Sequence, residues 1–111
     1  MRGESLKGYL DLLVLAVLAD GPLHGYAVLD ALRERSGEAF DLPEGTVYPV
    51  LYRLELAGRL ASDWDDSTGR RRRTYRLTGP GRGALEVERA AWNDFATAAG
   101  RVVRGPAWNP I

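Results

Sequence analysis

The feature that most limits how this chain can fold is a short apolar run, Leu10-Asp-Leu-Leu-Val-Leu-Ala-Val-Leu-Ala19. It predicts a helix from about Leu6 to Ala19, which Ser5 can cap. Asp20-Gly-Pro follows at once, so the run is too short to span a bilayer, and it lacks the basic start and cleavage site of a signal peptide. A helix that is apolar on nearly every side must be covered on every side. One small domain can cover only part of it, so we expect a second chain to cover the rest.

The length and composition set the class of protein. A chain of 111 residues allows one domain with a core of moderate size. Hydrophobic residues make up 45% and charged residues 27%, which is ordinary for a soluble globular protein. The chain has no cysteine, which excludes disulfides and thiolate metal sites and fits a reducing cytoplasm.

The stretch from residue 42 to residue 60 predicts a helix with an unusual outer face. From Val47 its apolar residues lie on one stripe at helical spacing. Its outer side offers hydroxyls, a guanidinium and a proline, and Glu55 is the one acid in residues 45–60. Such a face suits a DNA major groove, although a plain solvated helix is also compatible with it. The apolar stripe is Val47, Val50, Leu51 and Leu54; Gly45, Pro49, Tyr52 and Arg53 point outward, with Thr46 and Tyr48 on the flanks.

Capping preferences place the start of this helix at Thr46, as N-cap, so that Pro49 falls in the first turn. A preceding helix runs from Gly25 to about Arg35, and the pair predicts a helix-turn-helix. His24, the one histidine, precedes that helix without visible metal-ligand partners. We therefore expect it to have a structural role at the start of the helix rather than to bind a metal.

A hairpin follows the outward-facing helix. Gly58 lies just past the periodic run, where a left-handed residue would end the helix. Residues 60–64 and 73–77 predict two short strands, and the loop between them has Gly69 at its tip. Trp64 and Tyr75 are expected to pair across the strands and hold the hairpin on the core. A helix-turn-helix followed by such a hairpin predicts a winged helix.

The charge distribution indicates that the hairpin binds phosphate groups. The net charge is zero, but residues 1–66 hold 12 acids and 6 bases, whereas residues 67–82 hold 6 arginines and no acid. A basic tip on a neutral body can still supply phosphate contacts. The alternative is that these charges only make the chain soluble. Because four consecutive arginines repel one another, phosphate binding is favoured over that alternative. The six are Arg70, Arg71, Arg72, Arg73, Arg76 and Arg82.

A last helix, capped by Thr78, is predicted from about Pro80 to Val103. A heptad pattern along it favours packing against a partner helix. The tail from residue 105 to residue 111 contains two prolines and is expected to be frayed. The heptad positions are Leu85, Trp92, Phe95, Ala99 and Val102.

The sequence offers no catalytic constellation. The chain has no cysteine nucleophile, and its one histidine has no visible triad partners. The acidic cluster of Asp63, Asp65 and Asp66 does not have the spacing of a calcium loop. We therefore expect neither catalytic residues nor a metal or cofactor.

The chain contains Leu23-His-Gly-Tyr26, Gly45-Thr-Val-Tyr-Pro49 and Arg72-Arg-Thr-Tyr-Arg-Leu-Thr78 in this order. With the motifs above, they resemble the PadR family of transcriptional regulators, in its short form without a large C-terminal effector domain. The resemblance covers roughly residues 6–95 and implies a mainly α (α+β) winged helix-turn-helix with a two-stranded wing and a C-terminal dimerisation helix. It also implies that the outward-facing helix begins near Pro43 or Glu44. The residues that carry it are Leu23-His-Gly-Tyr26, Gly45-Thr-Val-Tyr-Pro49, Leu51, Arg53-Leu-Glu55, Gly58, Trp64, Arg72-Arg-Thr-Tyr-Arg-Leu-Thr78, Gly81, Trp92 and Phe95.

The resulting prediction is a homodimeric DNA-binding repressor, with repression implied by the family resemblance. We expect residues 1–78 to bind DNA, residues 79–104 to dimerise and residues 105–111 to form the tail. Two-fold symmetry implies a palindromic operator. The predicted groove contacts are Thr46, Tyr48, Pro49, Tyr52 and Arg53, and the predicted phosphate contacts are Arg70, Arg71, Arg72, Arg73 and Arg76.

Two alternatives remain open at this stage. Trp92 is either a plain core or dimer aromatic or, as in some members of the family, part of a dimer-interface pocket that stacks on a planar aromatic effector. That pocket would be lined by Leu13, Val17, Trp92, Phe95 and Ala99. The whole domain could instead be a winged-helix protein–protein interaction module, because fold does not fix function. The arginine-rich wing favours DNA.

Overall fold

The computed structural model describes residue 6, residues 8–67 and residues 69–106. Ser5, predicted as a cap, and residues 107–111 of the predicted tail lie outside this part of the chain. The elements form a helix-turn-helix, a hairpin and a long final helix, so the predicted winged-helix fold is confirmed. In chain order they are α1 (Leu10–Val17), β1 (Leu23–His24), α2 (Gly25–Arg35), α3 (Glu44–Leu56), β2 (Leu60–Asp65), β3 (Arg72–Leu77) and α4 (Gly79–Arg104).

Helix α1 lies at the centre of the core, as its apolar run predicted. It is shorter than predicted, because Gly8 and Tyr9 form a turn and Tyr9 is its N-cap. Val14 and Leu15 have no exposed surface, and α2, α3 and α4 all pack against α1. The buried core consists of Leu6, Leu10, Val14, Leu15, Val17, Leu18, Val28, Leu32, Leu42, Val47, Val50, Leu51, Leu54, Leu60, Leu77 and Leu85.

Helix α3 begins at Glu44, with Pro43 as N-cap, so the prediction of Thr46 as N-cap is wrong and the start implied by the resemblance is confirmed. The Pro43 carbonyl accepts hydrogen bonds from the amides of Thr46 and Val47, at 3.0 and 3.3 Å. The backbone therefore caps the helix without a side chain. Pro49 then lies inside the helix and cannot donate to the carbonyl four residues back. That carbonyl belongs to Gly45, which is exposed, so water can satisfy it.

The sheet has three antiparallel strands in the order β1-β3-β2. Strand β1 was not predicted, because two residues are too few to show an alternating pattern. It places Leu23 opposite Tyr75 on one edge of β3, while Ser62 of β2 lies opposite Tyr75 on the other.

The predicted pairing of Trp64 with Tyr75 is wrong. Trp64 lies opposite Arg73, two residues away along β3. The loop joins Asp65 to Arg72, which pair with each other, so the next pair along the hairpin is Trp64 with Arg73. Tyr75 packs against the core, whereas the Trp64 side chain is 53% exposed. Trp64 therefore does not hold the hairpin on the core.

The turn after α3 is linked to the start of α4. Gly58 has a φ of +78°, which confirms the predicted left-handed residue at the end of α3. The Thr78 hydroxyl accepts a hydrogen bond from the Gly81 amide at 3.0 Å and donates one to the Gly58 carbonyl at 2.6 Å. A Cβ on Gly81 would lie 1.9 Å from the Arg59 carbonyl oxygen, so no side chain fits there. This junction sets the direction in which α4 leaves the domain.

Helix α4 extends one residue beyond the prediction at each end. Its 26 residues span about 39 Å at 1.5 Å per residue, and the longest dimension of the described chain is 58 Å. Gly81 and Leu85 are the buried residues among those described on α4, so most of the helix projects from the domain. Within the described residues, no helix combines the length and the apolar character needed to cross a membrane.

We predict that Thr78→Ala lowers the free energy of unfolding by about 1 kcal/mol, because it removes the cap of α4. Thr78→Ser keeps a hydroxyl that can make both hydrogen bonds, so it should lower the free energy of unfolding much less. Urea unfolding followed by circular dichroism measures the difference. Equal loss in the two variants would contradict the role assigned to the hydroxyl.

Candidate nucleic-acid interface

The outer face of α3 is exposed as the helical spacing predicted. Val47 and Leu51 have no exposed surface and hold the opposite face of the helix against the core. Tyr52 is 64% exposed, so its ring and hydroxyl project from the domain. Gly45, Pro49 and Arg53 are also exposed, while Thr46 and Tyr48 are half-buried.

Arg53, a predicted groove contact, makes a bidentate ion pair with Asp11 of α1. Its Nη1 donates to Oδ2 at 2.9 Å and its Nη2 to Oδ1 at 2.6 Å. The hydrogen bond from Arg53 holds the pKa of Asp11 below its ordinary value, and the same bond raises the pKa of Arg53. The guanidinium cannot grip Asp11 end-on and a guanine end-on at the same time. In this structure Arg53 therefore joins α3 to α1.

A polar network joins the end of α3 to the base of the wing. The Ser62 hydroxyl donates to a Glu55 carboxylate oxygen at 2.6 Å, and Arg73 Nε donates to that hydroxyl at 2.8 Å. Arg73 also lies 3.5 Å from the Glu55 carboxylate. Two of these residues carry the likeness to the family, but Ser62 gave no sequence signal. The network fixes the angle between α3 and the hairpin.

The predicted wing arginines differ in what they contact. Arg76 pairs with Asp63 on the exposed side of the hairpin. Arg71 and Arg73 lie over the Trp64 ring, at 4.6 and 5.1 Å from its centroid, as cation–π contacts. Trp64 therefore supports arginine side chains instead of packing on the core.

Arg72 contacts the N-cap of α2. His24 caps that helix, because its Nδ1 lies 3.4 Å from the Ala27 amide nitrogen and accepts from it. This confirms the structural role predicted for His24. The other ring nitrogen, Nε2, lies 3.0 Å from Arg72 Nη1. The contact brings the wing to the start of α2.

These groups enclose an open cavity of about 430 Å³ between the start of α2, α3 and the wing. Tyr26 meets Tyr48 edge to face at 6.2 Å, and a hydrogen bond to the Glu44 carboxylate raises the pKa of Tyr26. A Cβ on Gly25 would lie 2.7 Å from the Tyr48 ring, so glycine at this position makes room for that ring. The cavity is lined by His24, Gly25, Tyr26, Tyr48, Arg70, Arg71, Arg72, Arg73 and Tyr75.

A second surface, the aromatic face of α4, lies away from this cavity. Trp92 is 42% exposed; it meets Tyr9 edge-on at 5.3 Å and Phe95 at 6.2 Å. Leu13 and Ala99 are half-buried. Val17, which was predicted to line a pocket here, is buried in the core. Tyr9 was missed, because the sequence placed it within a longer helix.

The arrangement defines a winged helix-turn-helix, with α2 and α3 as the helix pair and β2–β3 as the wing. Residues 14–87 match the Transcriptional regulator PadR-like family. The transcriptional regulator Rv3488 of Mycobacterium tuberculosis is 39% identical over 93 residues, which are 84% of each chain. The chain therefore belongs to the PadR-like family, whose members are transcriptional regulators and not enzymes.

Solved structures of the family have the same fold. A PadR family transcription regulator from Clostridium difficile is 31% identical with a TM-score of 0.77, over 86% of this chain and 98% of that one. Bacillus subtilis PadR, solved in complex with operator DNA, is 25% identical with a TM-score of 0.63. That match covers 70% of this chain and 45% of the Bacillus chain.

The Asp11–Arg53 pair leads to a prediction about pH. A lowered pKa in the folded state means that the pair stabilises the fold above the ordinary aspartate range and loses this effect as pH falls below about 4. Since the Arg53 side chain is 58% exposed, the contribution near neutral pH should be about 0.2–1 kcal/mol. Asp11→Asn should therefore be less stable than the wild type at neutral pH, with the gap closing in acid. Thermal unfolding of both proteins across pH measures it, and a gap that stays constant would contradict the pair's role.

Proposed function

We propose that this protein is a DNA-binding transcriptional repressor that occupies an operator through α3 and the wing. The observation that supports this most strongly is the shared cavity, where Tyr48 of α3 faces the wing arginines Arg70 to Arg73. Side chains suited to base edges and cations suited to phosphates thus lie side by side. The complex of Bacillus subtilis PadR with operator DNA supports the same use of this fold. A role on genomic DNA implies a cytoplasmic location.

The proposed roles follow from what each side chain already contacts. Thr46, Tyr48, Pro49 and Tyr52 would enter the major groove from the first turns of α3 and its outer face. Arg70 and Arg71 are exposed and, within the described chain, have no carboxylate partner, so they are the readiest phosphate contacts.

The remaining predicted contacts already have partners. Arg73 and Arg76 pair with Glu55 and Asp63, so they would shape the wing unless DNA displaces those carboxylates. Arg53 must release Asp11 before it can read a base. We therefore propose a smaller direct role for these three arginines than for the wing tip.

We also propose that the protein is a homodimer held by α4, residues 79–104, with residues 1–78 as the DNA-binding unit. Support comes from the exposed apolar residues of α4, which a second copy would cover: Val87, Trp92, Phe95, Val102 and Val103. Exposed apolar surface of this kind, on a helix that projects from its domain, is typical of an association surface. A two-fold dimer implies a palindromic operator.

A planar aromatic effector would bind where the two copies of Trp92 approach each other. Such a ligand would alter the separation of the two α3 helices and so change DNA affinity. Fluorescence of Trp92, in a variant with Trp64 and Trp108 changed to Phe, tests this directly. If no planar aromatic compound alters that signal, the effector part of the proposal fails while the repressor part stands.

The arginines at the wing tip lead to a prediction about how DNA affinity depends on salt concentration. A duplex selected from random DNA, or the DNA upstream of the gene, should bind tightly at about 50 mM salt and far more weakly at about 200 mM. Arg70→Ala with Arg71→Ala should make the log–log slope shallower by about 2, because each lost phosphate contact removes nearly one. The matched control is Arg89→Ala with Arg101→Ala, which removes two exposed charges from α4. Equal slopes in the two variants, or salt-insensitive binding, would favour a protein-interaction module instead.

For the dimer, we expect equilibrium sedimentation to give twice the mass of one chain. Phe95→Glu should yield a folded monomer, because the charge falls on the aromatic face and not in the core. Thr97→Glu, also exposed on α4, serves as the control and should remain dimeric. A monomeric wild type would remove the dimer and the palindromic operator from the proposal.

A further inference from the structure

Trp64 is a large aromatic residue of the wing whose place the core does not explain. It lies near the loop end of β2 and is 53% exposed. The guanidinium carbons of Arg71 and Arg73 lie over its ring, at 4.6 and 5.1 Å from the centroid. Both distances fall within the range of about 6 Å in which an aromatic face attracts a cation. The exposed ring is therefore a support for two arginines.

An aromatic face holds an arginine differently from a carboxylate. Asp11 accepts hydrogen bonds from Arg53, and Asp63 accepts one from Arg76, so each carboxylate takes up N–H donors of its guanidinium. A ring attracts the positive charge through its quadrupole and has no lone pair that takes up a donor. Arg71 is therefore held in place while its donors stay available to a phosphate.

The second arginine on the ring ties Trp64 to α3. Arg73 Nε donates to the Ser62 hydroxyl at 2.8 Å, and Arg73 Nη2 lies 3.5 Å from a carboxylate oxygen of Glu55, near the end of α3. Arg73 also lies directly opposite Trp64 in the sheet. A continuous series of contacts therefore runs from α3 through Arg73 and the Trp64 ring to Arg71.

Arg71 needs such a support more than an arginine within a strand does. It lies in the loop, one residue before β3 begins. A long side chain that is ordered only on binding loses rotamer freedom at that moment, and this loss lowers affinity. Contact with the ring orders part of the side chain in advance. It also fixes where the guanidinium lies relative to α3.

We propose that Trp64 is a positioning residue for DNA binding. Its ring orders Arg71 in the free protein and sets the place, relative to α3, at which the wing tip binds a backbone phosphate. This inference rests on the proposed function and adds to it a residue that acts through Arg71. Among the described residues, the cations over the ring are Arg71 and Arg73, so Arg70, also exposed at the wing tip, is independent of Trp64.

The test is a double-mutant cycle between Trp64→Leu and Arg71→Ala, read out as the affinity of the full-length protein for a labelled duplex that it binds. At about 50 mM salt the weaker variants remain measurable. Trp64→Leu should weaken binding roughly twofold to fivefold where Arg71 is present, which is the size of an exposed cation–π contact. It should have no effect in the Arg71→Ala protein, because no guanidinium is left to position.

Two further variants of the same residue separate the ring face from general packing. Trp64→Phe keeps an aromatic face and should retain most of the wild-type affinity. Trp64→Thr, a second ringless residue that strands favour, should match Trp64→Leu. Because the Trp64 side chain is half exposed, all three variants should fold, which circular dichroism and urea unfolding measure.

The matched control is the same cycle with Arg70→Ala in place of Arg71→Ala. Here Trp64→Leu should weaken binding by the same factor with and without Arg70, because the two sites are independent. A general disturbance of the wing would instead lower affinity equally with Arg71, without Arg71 and without Arg70.

The outcomes that contradict the inference are distinct from failure of the proposed function. An equal loss of affinity with and without Arg71 would mean that Trp64 touches DNA itself or serves only the fold. No loss from Trp64→Leu, or the same loss from Trp64→Phe, would mean that the ring face does not position Arg71. If the wild type binds neither its own upstream DNA nor any duplex selected from random DNA, the proposed function fails, and this inference fails with it.

Discussion

Burial of α1 determines where the helices α2, α3 and α4 lie. Val14 and Leu15 have no exposed surface, and α2, α3 and α4 all pack against the helix. Helix α3 covers its share with Val47 and Leu51, which turns its polar side outward. The surface proposed to read DNA is thus the reverse of the surface that closes the core. Since full burial of a Leu or Val side chain is worth about 1.5–3 kcal/mol, the packing leaves α3 little freedom to rotate.

Polar contacts then set the position of the wing, which has little core of its own. The Glu55–Ser62–Arg73 network holds the base of the wing to α3. The contact between His24 and Arg72 holds β3 to the start of α2. Arginines that look alike in the sequence therefore divide into those that build the wing and those, at its tip, that remain available. An exposed ion pair contributes little stability alone, but several contacts that share Arg73 restrict the angle of the hairpin.

Local patterns predicted most of the fold. Helical spacing gave α2, the face of α3 and the length of α4, and Gly58 marked the turn that leads into the wing. The features that the sequence did not predict depend on contacts between residues that are distant in the sequence. Strand β1 exists because β3 offers it an edge, and Arg53 meets Asp11 across 42 residues. Val17 was assigned to the dimer-interface pocket because a helix that is apolar all round shows no preferred face.

The central claim is that α3 and the wing tip form one surface that meets DNA. The chain contains no cysteine, so a single introduced thiol can carry a photo-crosslinker without background. With the linker at Thr46→Cys or Arg70→Cys, we expect crosslinks to the same half-site, with Thr46→Cys reaching bases and Arg70→Cys reaching the neighbouring backbone. Asp94→Cys, exposed on α4, should give none. Crosslinks from Asp94→Cys, with none from the other two positions, would contradict the account.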